Sequence, residues 1–145
     1  MTPTDPELRE LFGTVRTIAV VGLSEKPDRD SHRVARYLQE HGYRIVPVNP
    51  MLTEVLGEKA YPSLAAIPSE ISVDVVDIFR RSEQVPPVVD EAIARGAKVV
   101  WMQLGVTNAD AARKARDAGA VVLEDRCIMV EHRRLYGSSP SGGTV

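Results

Sequence analysis

Thr17-Ile-Ala-Val-Val-Gly-Leu-Ser24 decides the fold. An apolar, β-branched run without polar alternation reads as a strand buried on both faces, and the Gly-x-Ser that ends it lets backbone approach a ligand closely. Polar residues follow from Glu25 to Ser31. Val34, Ala35 and Leu38 then recur at helical spacing up to His41, with Gly42 as terminator, and Arg44-Ile-Val-Pro-Val48 is the next strand. This is a βαβ unit with a ligand-facing first turn.

Outward from that unit, apolar and amphipathic segments alternate. Asp5 caps a short helix with Pro6 at its first position, an N-terminal arm over residues 1–15. Pro47 removes one ladder hydrogen bond, so a bulge or a strand end is expected there. Thr53 to Leu56 and Ser63 to Ile67 read as helical turns in a connector broken by Gly57 and Pro62. Val73 to Phe79, Ala97 to Gln103 and Ala120 to Leu123 complete the strands, with helices expected from Val85 to Arg95, Asn108 to Ala118 and Ile128 to Leu135. The pattern predicts an α/β fold: one Rossmann-like, three-layer domain over 1–137, with a five-stranded parallel sheet and helices on both faces. Residues 138–145 have nothing to bury and are expected to be a disordered tail.

Composition narrows the function. At 145 residues, with 43% hydrophobic and 26% charged, the chain is large enough to bury a core without staples. A net charge of −2 offers no general basic field, which argues against nucleic acid or an anionic membrane as the main partner. No apolar run approaches the roughly 18 residues of a membrane span, and the N-terminus lacks a signal region, so a cytoplasmic protein is expected. One cysteine excludes an internal disulfide framework and a multi-cysteine zinc site.

In a parallel sheet all carboxyl ends share one rim, and ligands bind there where the strand order reverses. Gly22-Leu-Ser24, Asn49-Pro50, Phe79-Arg80-Arg81, Gln103-Leu104-Gly105 and Asp125-Arg126 all fall on that rim. The first turn departs from the dinucleotide fingerprint, which would need glycines at Ser24 and Pro27. Lys26, Arg29, His32 and Arg33 stand in the loop and helix start instead, a set that suits a ligand with more than one phosphate. Singly, Arg29 and Arg33 also read as solvated charges on a helix face. The end of the second strand has Asn49-Pro50 where an NAD site offers a carboxylate to the ribose; Asn-Pro also reads simply as a turn.

Together Ile18-Ala-Val-Val-Gly-Leu-Ser24, Pro27-Asp-Arg29, Arg33-Val-Ala-Arg-Tyr-Leu38, Gly42-Tyr-Arg-Ile-Val-Pro-Val-Asn-Pro50, Gly57-Glu-Lys-Ala-Tyr-Pro-Ser-Leu64, Val73-Asp-Val-Val-Asp-Ile-Phe-Arg80, Val100-Trp-Met-Gln-Leu-Gly105 and Asp125-Arg-Cys-Ile-Met-Val-Glu-His132 carry a resemblance. The chain resembles the small stand-alone CoA-binding proteins of bacteria and archaea, whose Rossmann-like domain is related to that of the succinyl-CoA synthetase α subunit. The resemblance implies a coenzyme A site on the same rim, enclosed by Ser24 to Lys26, Asn49-Pro50, Phe79-Arg80 and Gln103 to Gly105. It implies the diphosphate near Ser24, Ser31 and His32, and the adenine near Asn49, Pro50 and Phe79. The synthetase's phosphohistidine domain has no counterpart here, so ligation chemistry is not implied.

No side chains stand at spacings that assign a catalytic or metal role. Cys127 beside Arg126 reads either as a reactive thiol or as a packed apolar residue, the latter being favoured, and His132 reads as structural. Asp74 and Asp77 fall on opposite faces of one strand and make no dyad. The expected function is non-catalytic binding of CoA or an acyl-CoA by a carrier, sensor or protector. An enzyme using NAD(P) or another nucleotide in the same crevice, and an interaction module with a vestigial site, remain the alternatives.

Overall fold

Five apolar runs, 44–48, 17–21, 75–78, 99–102 and 121–123 in that spatial order, pair in register as one parallel sheet. The computed structural model describes residues 2–136, so the expected tail lies outside the described residues. In chain order the elements are α1 (Asp5–Thr14), β1 (Thr17–Val21), α2 (Asp30–Glu40), β2 (Arg44–Val48), β3 (Glu54–Val55), β4 (Glu58–Lys59), β5 (Val75–Ile78), α3 (Val85–Ala94), β6 (Val99–Met102), α4 (Ala109–Asp117), β7 (Val121–Leu123) and α5 (Ile128–Tyr136). Among the described residues, no helix is long and apolar enough to cross a membrane.

The alternation of side chains along each strand sorts the core into two layers. Ala19, Val21, Val76, Ile78, Val100 and Met102 face α3 and α4. Ile18, Val20, Val75, Val99, Trp101 and Leu123 face α1, α2 and α5. All five residues of β1 are buried, as the uniform apolar run requires.

Local chemistry differs from expectation at three places. The cap of α1 is Thr4 rather than Asp5: its hydroxyl accepts from the Glu7 amide while the Glu7 carboxylate accepts from the Thr4 amide, a reciprocal capping box. Thr53 to Leu56 is not a helical turn. Leu56 and Gly57 both take positive φ, 55° and 76°, which turns the chain through a two-residue hairpin joining β3 to β4. Pro47 needs no bulge, because β2 is an edge strand and the Tyr61 amide meets the Pro47 carbonyl on its outer side.

The long connector between β2 and β5 is held by one side chain. Arg95, the residue that ends α3, donates through its guanidinium to the carbonyls of Leu64, Ile67, Pro68 and Ile71 at 2.7 to 3.2 Å. Glu91 adds an acceptor for the Leu64 amide.

One polar group sits deep in the sheet. Asp77 on β5 is fully buried between Val20 and Trp101, and neither carboxylate oxygen has a hydrogen-bond partner among the described residues. Burial therefore pushes its carboxyl well above the usual carboxylate range. Folding then takes up a proton that the unfolded chain has lost above its own pKa of about 3.9, so this group weakens the fold as pH rises from there toward the raised folded value, by at most about 1.4 kcal/mol per pH unit. His132 opposes it on the acid side: burial, then the neighbouring His41, lowers its pKa to about 4, so its stabilising contribution is lost as pH falls from about 6.5 toward that value. The Tm advantage of Asp77→Asn over the wild type is expected to grow with pH in melts followed by circular dichroism at pH 5 and pH 8; a constant difference would show that no proton is taken up at Asp77.

Candidate functional site

The sheet order reverses at β1. The chain leaves β1 through α2 to β2 on one side, then returns across to place β5 on the other, with α3 on the opposite face. The carboxyl ends of β1 and β5 consequently border the crevice that a doubly wound sheet leaves at such a point.

Backbone hydrogen bonds extend this edge past the strands. Gly22 donates to Val48 at 2.8 Å, Phe79 to Val21 at 2.8 Å and Gln103 to Ile78 at 3.3 Å. Gly22 has φ +89°, and a Cβ there would overlap the Phe79 carbonyl oxygen and lie 3.1 Å from its carbonyl carbon. Only glycine lets these two loops meet.

The loop after β1 is folded onto α2 by its serines. The Ser24 amide donates to the Ser31 hydroxyl and the Lys26 amide to the Ser24 hydroxyl, each at 3.0 Å. Ser31 lies in the first turn of α2, and the residue before the helix, Arg29, has no side-chain oxygen to cap it. Its first turn holds His32, 8% exposed, whose Nδ1 has no partner among the described residues. A helix end with uncapped amides attracts anions. Lys26 and Arg29 are exposed above it and make no ion pair among the described residues, whereas Arg33 is engaged with the Asp30 carboxylate and the Asp28 carbonyl.

Two more of the expected residues are structural ties. Asn49 donates from Nδ2 to the Leu23 carbonyl at 3.0 Å, and its Oδ1 accepts from the Met51 amide at 2.9 Å. Gln103, 4% exposed, accepts the Ile128 amide on Oε1 at 3.0 Å and so fixes the start of α5. Pro50 is exposed, Phe79 half-buried, and Leu104 projects from the loop after β6. The next residue, Gly105, donates to the Asp125 carboxylate at 2.7 Å, clasping that loop to the one after β7.

Arg80 and Arg81 part, although the chain bends at Arg80 and turns into a short 3-10 helix after Arg81 rather than continuing extended. Arg80 lines a cavity of about 190 Å³ on the α3 side of the crevice, with Pro62, Ser63, Leu64, Val88 and Glu91. It has no ion pair among the described residues, while Arg81 is exposed. Pro62 and Ser63 were assigned no site role in the sequence, although Tyr61-Pro-Ser-Leu64 was among the segments of resemblance. Their signal was an unexplained Pro-Ser in a connector, and they reach the rim because Tyr61 pairs with the end of β2 while Arg95 and Glu91 hold Leu64.

Other candidates fall elsewhere. Cys127 is half-buried against the α1/α2/α5 layer at the start of α5. His132 lies away from the rim: its Nδ1 is 2.8 Å from the Tyr37 hydroxyl, and its ring stacks on Tyr136 and meets Phe12 edge-on. Asp74 sits at the amino end of the sheet, where Oδ2 accepts from the Arg16 and Thr17 amides. The crevice thus combines an uncapped helix end, unpaired cations and an apolar floor, without a carboxylate at the end of β2.

The chain is similar to known proteins over most of its length. The chain is 45% identical over 130 residues to the uncharacterized protein YneT of Bacillus subtilis, covering 90% of this chain and 95% of that one. It superposes on a hypothetical protein from Pyrococcus horikoshii with a TM-score of 0.89 and 46% identity, over 93% and 94% of the two chains. An ADP-forming acetate–CoA ligase of Archaeoglobus fulgidus is 32% identical over 97 residues, which are 66% of this chain but 14% of the ligase. The model of the CoA binding domain matches residues 16–133, and the chain belongs to that family.

Proposed function

We propose that this protein binds coenzyme A, or an acyl-CoA, at the carboxyl edge of its parallel sheet, as a carrier, sensor or protector rather than a catalyst. The observation that carries the reading is the uncapped start of α2, with the unpartnered His32 Nδ1 and the free cations Lys26 and Arg29 beside it. Such an end suits a diphosphate, which the dipole and amides attract and the side chains neutralise. Gly22, Ser24, Ser31 and Arg33 form or border that end. Asn49, Pro50 and Phe79 offer the adenine a flat, partly apolar surface, and Asn49 presents no carboxylate to repel a phosphorylated ribose. Gln103, Leu104 and Gly105 bound the far side of the crevice.

Ser31, Asn49 and Gln103 all spend hydrogen bonds on holding loops. That division favours a preorganised binding surface over a reaction centre. The ADP-forming ligase has the equivalent of this chain as a small part of its length, and its chemistry is not carried over.

A ligand that binds only the folded state adds RT ln(1 + [L]/Kd), about 2.7 kcal/mol at a hundredfold excess over Kd. CoA is therefore expected to raise Tm by a few degrees and by more than NAD or FAD does in thermal-shift measurements. Equal shifts, or a shift with NAD alone, would overturn the assignment.

Substitution at the first turn should act on binding and fold together. Gly22→Val is expected to abolish CoA binding in calorimetry and to lower Tm, because its side chain collides with the Phe79 carbonyl. Normal affinity would remove this turn from the site.

Arg80 is assigned to the 3′-phosphate. A charge-assisted hydrogen bond contributes about 1.5 to 3 kcal/mol, so Arg80→Ala should weaken CoA roughly tenfold to a hundredfold while Arg81→Ala changes little. With dephospho-CoA the loss at Arg80 should largely vanish. Equal losses with both ligands would move Arg80 to the diphosphate.

A further inference from the structure

The two edges of the sheet are finished differently. On β2 the outer side is closed: Pro47 has no amide hydrogen, its carbonyl accepts from Tyr61, and the Asn49 amide returns to the Tyr61 carbonyl. On β7 the Val121 amide donates inward to Lys98, in register with β6. By alternation the Val122 N–H and C=O face outward, where no further strand among the described residues pairs with them. Natural edges are usually blunted by proline, lysine or a covering segment. The stretch Ala120-Val-Val-Leu123 has neither residue, and Val121 is 36% exposed.

Beside this edge runs a groove of about 500 Å³, between α1 and β7. Pro3, Leu11, Ala120 and Val121 give it an apolar floor, and Arg116 stands at its side. The Nε of Arg116 is buried with no hydrogen-bond partner among the described residues.

We propose that the β7 edge is a homodimer interface, in which a second copy of this chain pairs its own β7 antiparallel about a two-fold axis at Val122. This arrangement closes on itself, as an isologous contact must. With Val122 opposite its symmetry mate, the two residues exchange both N–H···O=C bonds, since each directs its backbone groups outward. Position 120 of one copy then faces position 124 of the other. The Glu124 amide meets the outward Ala120 carbonyl, and Arg116, which lines the groove with Ala120, faces the Glu124 carboxylate of the second copy. The pair forms twice by symmetry: the Glu124 carboxylate accepts from the Asn108 amide on Oε2 alone, leaving Oε1 for the guanidinium of Arg116, which is half-buried and makes no ion pair among the described residues. A second copy thus brings a matching edge and this charge together. The strand is three residues long, so the dimer is weak and dissociates at micromolar concentrations.

Sedimentation velocity across a micromolar concentration series, without added ligand, tests this independently of the CoA assignment. A reversible monomer–dimer equilibrium is expected, with the Val122 and Glu124 amides exchanging hydrogen more slowly at high concentration. Val121→Lys should weaken the dimer roughly tenfold or more, equivalent to about 1.4 kcal/mol, with circular dichroism confirming that the variant is folded. Arg116→Glu should weaken it too, and combination with Glu124→Lys should restore part of the loss. A monomer throughout the series, a dimer indifferent to Val121→Lys, or amide exchange independent of concentration would each overturn the proposal.

Discussion

The close approach of Gly22 to the Phe79 carbonyl is the contact on which the rim is built. Adjacent parallel strands stand less than 5 Å apart, so the loops leaving them diverge unless one lacks a side chain where they part. Gly22 removes that obstacle, and the ladder continues one residue beyond β1 and β5. The loop after β1 then lies low enough for the Ser24 amide to reach Ser31 in the first turn of α2. One missing Cβ at the sheet edge thus sets how closely the loop packs on the start of that helix, whose cap position is Arg29, a residue with no side-chain acceptor.

Around that contact, the polar residues divide their work. Ser31, Asn49, Gln103 and Asp125 tie each loop to a neighbour across the rim and so fix its shape. Lys26, Arg29 and Arg80 are left without ion pairs among the described residues. Preformed loops lose little conformational entropy when a ligand arrives, and unpaired cations supply charge that no internal bond has to release. Asp77 and His132 lie beneath this surface, in the layer shared by α1, α2 and α5. Burial favours the neutral form of each.

The strands were legible because burial on both faces demands β-branched runs, as in Thr17–Val21, which no helix periodicity imitates. The parallel sheet and its shared rim followed from crossover handedness, whereas the order of the strands is set by tertiary pairing. What could not be read depended on backbone conformation or distant contacts. Leu56 at positive φ has no sequence signature, so the β3–β4 hairpin looked like a helical turn. The Thr4-x-x-Glu7 capping box was present in the sequence, but Asp5-Pro6 offered a competing helix start one residue later. At the rim, the expected positions gather around one crevice, yet Asn49 and Gln103 turn out to hold loops, a role set by partners 26 and 25 residues away. The cavity wall at Pro62–Leu64 depends on Arg95, whose reach across 31 residues to Leu64 no local pattern announces.

That guanidinium also imposes an order on assembly. A flat, delocalised cation gathers four carbonyls from residues 64–71, so that stretch takes its place against α3 only once the end of that helix is seated against the sheet. The wall beside Arg80 is accordingly completed by tertiary docking rather than by local folding. Lysine, with a single point of charge, would reach too few of those carbonyls to replace it. The shape of the cavity beside Arg80 is therefore inherited from a helix terminus that does not line it.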